Sequence, residues 1–546
     1  MTTPITVTTN QTDRLLAGVT PNDPKKLSDW LGRHDFSLNT RCGGKGLCRG
    51  CRIVIQHGKF LHESRPVEAK EESQEVDACQ CEWLPGEELE VSIPARSLLQ
   101  ATASAVDEFH LMVTAGREPL FPGKPGAVAV AVDIGTTTVA VLVFDIATGS
   151  ILGRAADFNA QIRLGDDVVT RINLCITDPA MRDSLQRAVG SETISRLISE
   201  ACQMANISPA QLCGMSVAGN TTMLHLLASE DPAGLGTYPF HPVFLEKRHS
   251  TTGKLHLSNE PNGLEANLPV VLLPGLAAYV GADIAAGIIA TGMRYAPQPA
   301  MLIDIGTNGE IALLHKGHWL ACATAAGPAF EGSGLHHGMR AVTGAISDIV
   351  FHMENGSEVS LQTIGNVPVE QAHGICGSAY IDFLAEGRRA GCLQENGRFE
   401  NSFIKMHPDK FVKLEDCFAF RLTSTLTISE VDVSLLLQAK AAIAAGIETL
   451  LQQAGLTAGE LATLFVAGGF GMHITLEHAM KIGLLPRLNE NQIQVVGNSS
   501  LAGAYLAALD LSALCEMEEL AGKVETIELN LDPDFEDRFI NALSLE

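Results

Sequence analysis

The sequence predicts an α/β protein in three parts: a small β-rich domain over residues 1–95, a linker over 96–125, and duplicated α/β lobes from there to the C-terminus. Three observations lead to this reading. Five cysteines gather near the N-terminus among short strand-like runs. A Gly- and Pro-rich stretch follows them. From about Ala127 apolar strands alternate with helical patterns, and within these one motif occurs twice.

The first part contains Arg52-Ile-Val-Ile and Leu89-Glu-Val-Ser-Ile, short apolar or alternating runs that suit a small sheet with one buried face. Its cysteines read Cys42-Gly-Gly-Lys-Gly-Leu-Cys48-Arg-Gly-Cys51, with Cys79 and Cys81 further on. An iron-sulfur cluster needs thiolates from a loop folded around it, commonly C-x4-C-x2-C with a distant fourth cysteine. Here the first gap is five residues, which resembles the adrenodoxin-type variant. Gly43, Gly44, Gly46 and Gly50 suit a chain that curves closely around such a group. A zinc ribbon would pair two C-x2-C knuckles, and Cys79-Gln-Cys81 does not have that spacing; plain structural thiols are the remaining alternative. Cys42, Cys48, Cys51 and Cys79 form the expected [2Fe-2S] ligand set. Ala78-Cys79-Gln80 resembles the surroundings of the last ligand in ferredoxin-like domains, but spacing leaves Cys81 open as the fourth.

Residues 96–125 include Gly116, Pro119, Pro122, Gly123 and Pro125, a composition for an extended linker that lets the first domain move. The expected division beyond it is a middle domain over 126–205 and a larger domain over 206–546.

Composition narrows the function. The 546 residues are 46% hydrophobic and 18% charged, ordinary for a globular protein, and the formal net charge of -25 argues against a general nucleic-acid or anionic-membrane surface. The opening Met1-Thr-Thr-Pro-Ile-Thr has no basic or apolar export pattern, so the 13 cysteines are expected to be reduced and the protein cytoplasmic. The apolar stretch from Leu268 to Met293 is broken by Pro269, Pro274 and Asp283, which fits a buried loop and core helix better than a membrane span.

The repeated motif lies in Val128-Ala-Val-Ala-Val-Asp-Ile-Gly-Thr-Thr-Thr and Met301-Leu-Ile-Asp-Ile-Gly-Thr-Asn-Gly. Each copy is a buried strand, then Asp-Ile-Gly-Thr, then a second strand. An acidic strand end followed by Gly and Thr sets a carboxylate, suited to Mg²⁺ and its waters, beside amides and hydroxyls that suit phosphate oxygens. Simple hairpin turns are the plainer reading. Two more Gly-rich turns follow: Leu464-Phe-Val-Ala-Gly-Gly-Phe-Gly471, and Val496-Gly-Asn-Ser-Ser, where Asn498 or Ser499 can cap an Ala/Leu-rich helix.

Asp133-Ile-Gly-Thr-Thr-Thr138, Asp304-Ile-Gly-Thr-Asn-Gly309 and Val466-Ala-Gly-Gly-Phe-Gly471 resemble the phosphate-1, phosphate-2 and adenosine motifs of the superfamily of acetate and sugar kinases, heat-shock 70 proteins and actin. Val217-Ala-Gly-Asn-Thr-Thr-Met-Leu-His225, Val280-Gly-Ala-Asp283 and Ala325-Ala-Gly-Pro-Ala-Phe-Glu-Gly332 add to the likeness. With the cysteine-bearing segment in front, nearly the whole chain resembles the reductive activators of corrinoid proteins. The resemblance implies a ferredoxin-like [2Fe-2S] domain joined to actin-like (ribonuclease H-like) ATPase lobes. It also implies ATP-dependent reduction of a corrinoid protein from Co(II) to Co(I), in support of a methyltransferase, with electrons from an upstream donor. Carried over by motif, Asp133 and Asp304 position Mg²⁺ and water. Gly135, Thr136, Thr137, Gly306, Thr307, Asn308 and Gly309 bind the phosphate end of ATP, and Gly468 and Gly469 accommodate adenosine. The sequence admits a homodimer.

A small-molecule kinase of the same superfamily would explain the paired turns but leaves the cysteines without a role. A simple electron carrier leaves the turns without one. Lys45 and Arg49 can tune a cluster or be solvated loop residues, and Glu310 can orient water or be a structural partner. His336 and His337 read as polar surface. Cys175, Cys202, Cys213, Cys322, Cys376, Cys392, Cys417 and Cys515 read as small core residues. The run from Leu435 to Gly455 has the spacing of a core helix with a Gly stop.

Overall fold

The structure is a computed structural model that describes the chain except residues 1–4, 10–12, 17–24, 35, 37, 39–50, 71–72, 85–87, 95–96, 98–107, 111–117, 124–125, 259–262, 353–357, 470–473 and 546. It divides into two compact units, one of residues 1–101 with 161–166 and one of residues 102–160 with 167–546.

In the first unit a sheet has the order Asp13–Leu16, Ile5–Thr9, Leu89–Ile93, Arg52–His62, Arg65–Ala69, with Gln74–Asp77 and Cys81–Trp83 also paired to Arg52–His62. The alternation of Leu89-Glu-Val-Ser-Ile turns Leu89, Val91 and Ile93 into the core. They meet Ile53, Ile55, Phe60 and, from the helix Leu27–Arg33, Trp30. The expected β-rich domain is present.

The second unit holds two six-stranded sheets of like design. In the first, the meander Val128–Ile134, Thr138–Asp145, Ile151–Phe158 is extended on its Val128 side by parallel strands Leu212–Gly219 and Pro269–Leu272. In the second, the meander Ala300–Ile305, Gly309–His315, His318–Thr324 is extended by parallel Thr463–Ala467 and Ile493–Gly497. The same chain order in both sheets bears out the duplication. The expected division at 205/206 falls within the first of them, because Leu212–Gly219 hydrogen-bonds Val128–Ile134.

Both central strands are buried on both faces, which is why they read as unbroken apolar runs. Helices Ala282–Ala290 and Ser499–Leu509 cross between the sheets so closely that a Cβ on Gly503 would lie 2.3 Å from the Ala286 carbonyl oxygen. Pro269–Leu272, expected in a loop, is a strand, and the helix after it is buried as expected.

The helix Glu430–Gln453 starts earlier than its apolar run because Ser429 and Asp432 form a capping box ahead of it. Gly455 follows its end at φ 69°. Among the described residues this helix alone is long and apolar enough to span a membrane, yet 72% of its apolar window is buried inside the protein.

The described parts of the linker are held in place. Phe109 forms an antiparallel bridge with Gly497, Leu120 N–H donates to the Ala508 carbonyl at 3.0 Å, and Phe121 is buried.

Candidate functional site

Both Asp-Ile-Gly-Thr segments are hairpin turns, and they are more than that: they face one another across a cleft. The two turns touch through a 2.8 Å hydrogen bond shared by the Thr137 and Thr307 hydroxyls. Gly135, Thr136, Thr137, Gly306, Thr307, Asn308, Gly468 and Gly469 all line this cleft, with Asp133 and Asp304 at the strand ends. Gly309 lies just behind it, where a Cβ would meet the Thr324 hydroxyl at 2.5 Å. Gly468 has φ +93°, and a Cβ there would approach the Ile305 carbonyl oxygen at 2.5 Å and Asp304 Oδ1 at 2.8 Å. That turn needs glycine to reach the second hairpin. Gly471 is outside the described residues.

Besides Glu331, four carboxylates line the cleft. Asp133 accepts hydrogen bonds from Asn498 Nδ2 at 2.8 Å and Ser500 Oγ at 2.6 Å. Burial nevertheless raises its pKa, against the pull of those two donors. Asp304 is pushed up to about 8 by burial and by its neighbours Asp283 and Asp133. Asp283, on the first turn of the helix Ala282–Ala290, is pushed up to about 7 by burial and by Asp133, against the pull of the Ile284 N–H. Glu310 is buried, and desolvation with Asp283 and Asp304 nearby holds it well above the usual carboxylate range. Among the described residues none of the four is paired with a cationic side chain. Among the described residues no three acidic, His or Cys side chains are grouped closely enough to hold a metal ion directly, so a divalent cation here would be held largely through its waters.

The threonines are held from behind. Asn220, the N-cap of the helix Thr221–Leu227, donates to Thr136 Oγ1 at 3.0 Å. Fully buried Arg171 donates to the Thr136 carbonyl at 2.6 Å, and Asn159 Nδ2 to the Gly135 carbonyl at 3.0 Å. On the opposite wall Thr307 donates to Glu331 Oε1 at 2.8 Å, and Arg340 pairs with Glu331 Oε2 at 3.0 Å while stacking over Phe158 at 4.2 Å. Cys376, Gly377 and Ser378, at the start of the helix Gly377–Arg389, complete the lining.

The sequence marks Asn220 and Glu331 only as members of motifs, Asn498 as a helix cap and Asp283 as a motif member that also breaks an apolar stretch, none of them as a cleft residue in its own right. Arg171, Arg340 and Cys376 carried no local signal; for Cys376-Gly-Ser, a small-residue helix start was the available clue. Cys376 is buried in the core as expected and also walls the cleft, whereas Cys515 is exposed and Cys213 and Cys417 are only half-buried, unlike the core residues expected. His336 is exposed as expected, and its main-chain N–H is held by Asp432 at 2.7 Å. His225, at the end of the Val217 motif, is a clamp: its Nε2 accepts from the Val243 N–H at 3.0 Å.

In the first unit Cys51, Cys79 and Cys81 are buried in one core. The Ala78 N–H donates to the Cys51 carbonyl at 3.1 Å, which sets the backbone of Cys79 beside that of Cys51. Cys81 pairs with His62, at the far end of the strand that begins next to Cys51. Its thiol is pushed up to about 12 by burial, with Cys79 and Asp77 adding to it. Cys42, Cys48, Lys45 and Arg49 are outside the described residues.

Paired hairpins on two sheets of one design, facing across an acidic cleft, define an actin-like ATPase fold. Residues 128–296 match the RACo middle region, and residues 298–546 match the C-terminal ASKHA domain of RACo. The corrinoid activation enzyme RamQ of Eubacterium limosum is 31% identical over 426 residues, 75% of this chain and 69% of that protein. The Co(II) methylated amine-specific corrinoid protein reductase of Methanosarcina barkeri is 24% identical over 72% of each chain. A solved reductive activator for corrinoid, iron-sulfur protein superposes with a TM-score of 0.72 at 30% identity, covering 99% of this chain and 98% of its own. The chain belongs to the RACo family.

Proposed function

We propose that this protein uses ATP to reduce the cobalt of a corrinoid protein from Co(II) to Co(I), in support of a corrinoid-dependent methyltransferase. The observation that carries the reading is the likeness to a corrinoid reductive activator over 99% of the chain, which spans the cysteine-bearing unit as well as the acidic cleft.

Cys42, Cys48, Cys51 and Cys79 would hold a [2Fe-2S] cluster, which supplies one-electron transfer when bound. The hydrogen bond joining Ala78 to Cys51 supports Cys79 over Cys81 as the fourth ligand. The carboxylates of Asp133 and Asp304, with Asp283 and Glu310 beside them, would hold Mg²⁺ largely through water; their convergence without a cationic partner among the described residues fits that ion.

With ATP in the cleft, the Thr137 and Thr307 hydroxyls exchange their mutual bond for phosphate oxygens. Asn220 and Arg171 keep the first turn in position as that happens. Gly468 and Gly469 leave room for the nucleoside. If cobalt reduction is uphill, ATP can drive it only when the nucleotide states differ in affinity for the partner, and two lobes hinged at a cleft are a suitable two-state element. The remaining partner is an upstream electron donor, and reduced thiols fit a cytoplasmic setting.

The test uses protein purified without oxygen, a chemical one-electron reductant, MgATP and a cognate Co(II) corrinoid protein. The Co(I) absorption band is expected with ATP and nearly absent without it. Co(I) formation at the same rate in both conditions would leave only the electron-carrier reading.

A further inference from the structure

The segment Glu108–His110 belongs by sequence to the linker, but in the fold it completes an edge. Ile493–Gly497 is the outermost strand of its sheet, and an outermost strand leaves N–H and C=O groups unpaired. The linker covers them: the His110 N–H donates to the Val496 carbonyl at 3.0 Å, and the Asn498 N–H donates to the Glu108 carbonyl at 2.9 Å. Asn498 is also the residue whose side chain holds Asp133 Oδ2 at 2.8 Å and caps the helix Ser499–Leu509 through Leu501 N–H at 2.7 Å. One residue therefore faces the linker with its main chain and the cleft with its side chain. The second donor to Asp133, Ser500, rides on the same helix. The linker also holds that helix at its other end, where Leu120 N–H donates to the Ala508 carbonyl, and holds the start of the next helix, Leu511–Ala521, where Leu511 N–H donates to the Glu118 carbonyl at 2.7 Å. The Phe109 ring lies 6.0 Å from that of Tyr505, on the helix between these clasps.

We infer that Glu108–His110 are positioning residues of the nucleotide cleft, acting through Asn498 on Asp133, so that linker docking and nucleotide binding strengthen one another. The inference rests on the ATP reading of the cleft. When the linker is docked, Asn498 and Ser500 are fixed and Asp133 is presented in one orientation. When it lifts, the Asn498 N–H loses its acceptor and both donors to Asp133 lose their restraint. Coupling between two binding equilibria is reciprocal, so nucleotide that prefers the fixed Asp133 also tightens the linker. Residues 1–95, with their cysteines, lie on the N-terminal side of this segment. Nucleotide state thereby sets how firmly their tether is held, which is a physical route from the cleft to electron transfer.

Hydrogen exchange of the full-length protein, with and without a non-hydrolysable MgATP analogue, tests this, together with analogue affinity for the wild type, Phe109→Leu and Phe109→Ala. The analogue is expected to slow exchange at residues 108–110 and 496–498 as well as in the two hairpins. Phe109→Ala is expected to weaken affinity about five- to tenfold, the lower range of ordinary coupling, while Phe109→Leu, which keeps an apolar side chain against Tyr505, restores most of it. Protection confined to the hairpins, or unchanged affinity in Phe109→Ala, would overturn the link and leave the ATP reading standing. No protection anywhere would overturn both. If Phe109→Ala does not fold, exchange in the wild type decides alone.

Discussion

Replacing Asp304 with Asn should make the protein more stable while removing its Mg²⁺-dependent ATP hydrolysis. The Asp304 carboxyl ionises near 3.8 in an unfolded chain and is pushed up to about 8 in the cleft by burial, Asp283 and Asp133. Between those two pH values the native state holds a proton that the unfolded state has released. Stability therefore falls as pH rises, by at most about 1.4 kcal/mol per pH unit for one such group. Asp304 is half-buried on an open wall, so solvent screening reduces the total from the order of 5 kcal/mol to a few. The melting temperature of the nucleotide-free wild type should decline between pH 6 and about pH 8, by about 2–4 °C per kcal/mol or less in a chain of this size. Asp304→Asn should show a shallower decline and a higher Tm at pH 8. Mg²⁺ at a hundred times its dissociation constant should return about 3 kcal/mol to the wild type and little to the variant. Equal pH slopes in the two proteins, or an Asn variant less stable than wild type at pH 8, would refute the electrostatic account of the cleft.

Asp133→Ala should abolish Mg²⁺-dependent phosphate release and leave the visible absorption of the anaerobically purified protein unchanged, because Asp133 and the cysteines belong to different compact units. Of the matched pair Cys79→Ser and Cys81→Ser, the first should lose the brown colour and most bound iron and sulfide; loss only in the second would move the fourth ligand to Cys81. Gly468→Ala sets a Cβ 2.5 Å from the Ile305 carbonyl oxygen at φ +93°. It should cost about 1–3 kcal/mol in chemical denaturation and weaken nucleotide binding, and wild-type behaviour in both measurements would show that the turn has room to spare.

The parts of this protein that were legible in its sequence are those whose signal is local. Asp133 and Asp304 could be found because each ends an apolar strand and is followed by Gly-Thr, and that short pattern alone builds a hairpin. Asn498 could be read as a cap because a capping side chain bonds an amide three residues on. The same asparagine also holds Asp133, 365 residues away in sequence, and no local pattern records that contact. Arg171 and Arg340 were missed for the same reason, since each acts on a turn from a distant element. The linker was legible as extended, and the glycines and prolines that make it so say nothing about which sheet edge it lies against. Where a Gly-rich segment could be read either as a plain turn or as a site, the distinction itself failed: the Asp-Ile-Gly-Thr hairpins are ordinary turns brought face to face by duplication.

The cleft gives its two matched aspartates unequal surroundings, and this asymmetry suggests a division of work. Asp133 has two hydrogen-bond donors aimed at its oxygens, which favour its charged form and offset burial in part. Asp304 has carboxylate neighbours instead, which favour its neutral form. On the ATP reading, a cation in the cleft would meet Asp133 already held by Asn498 and Ser500 and would have to displace the proton that burial and its acidic neighbours favour on Asp304. That proton release would tie binding at the second hairpin to pH more strongly than at the first, and the second hairpin is the one whose Thr307 bonds Thr137 across the gap and Glu331 behind. A ligand that acts unequally on two facing turns favours one arrangement of the lobes over the other, and that inequality is what lets a bound nucleotide shift a conformational equilibrium.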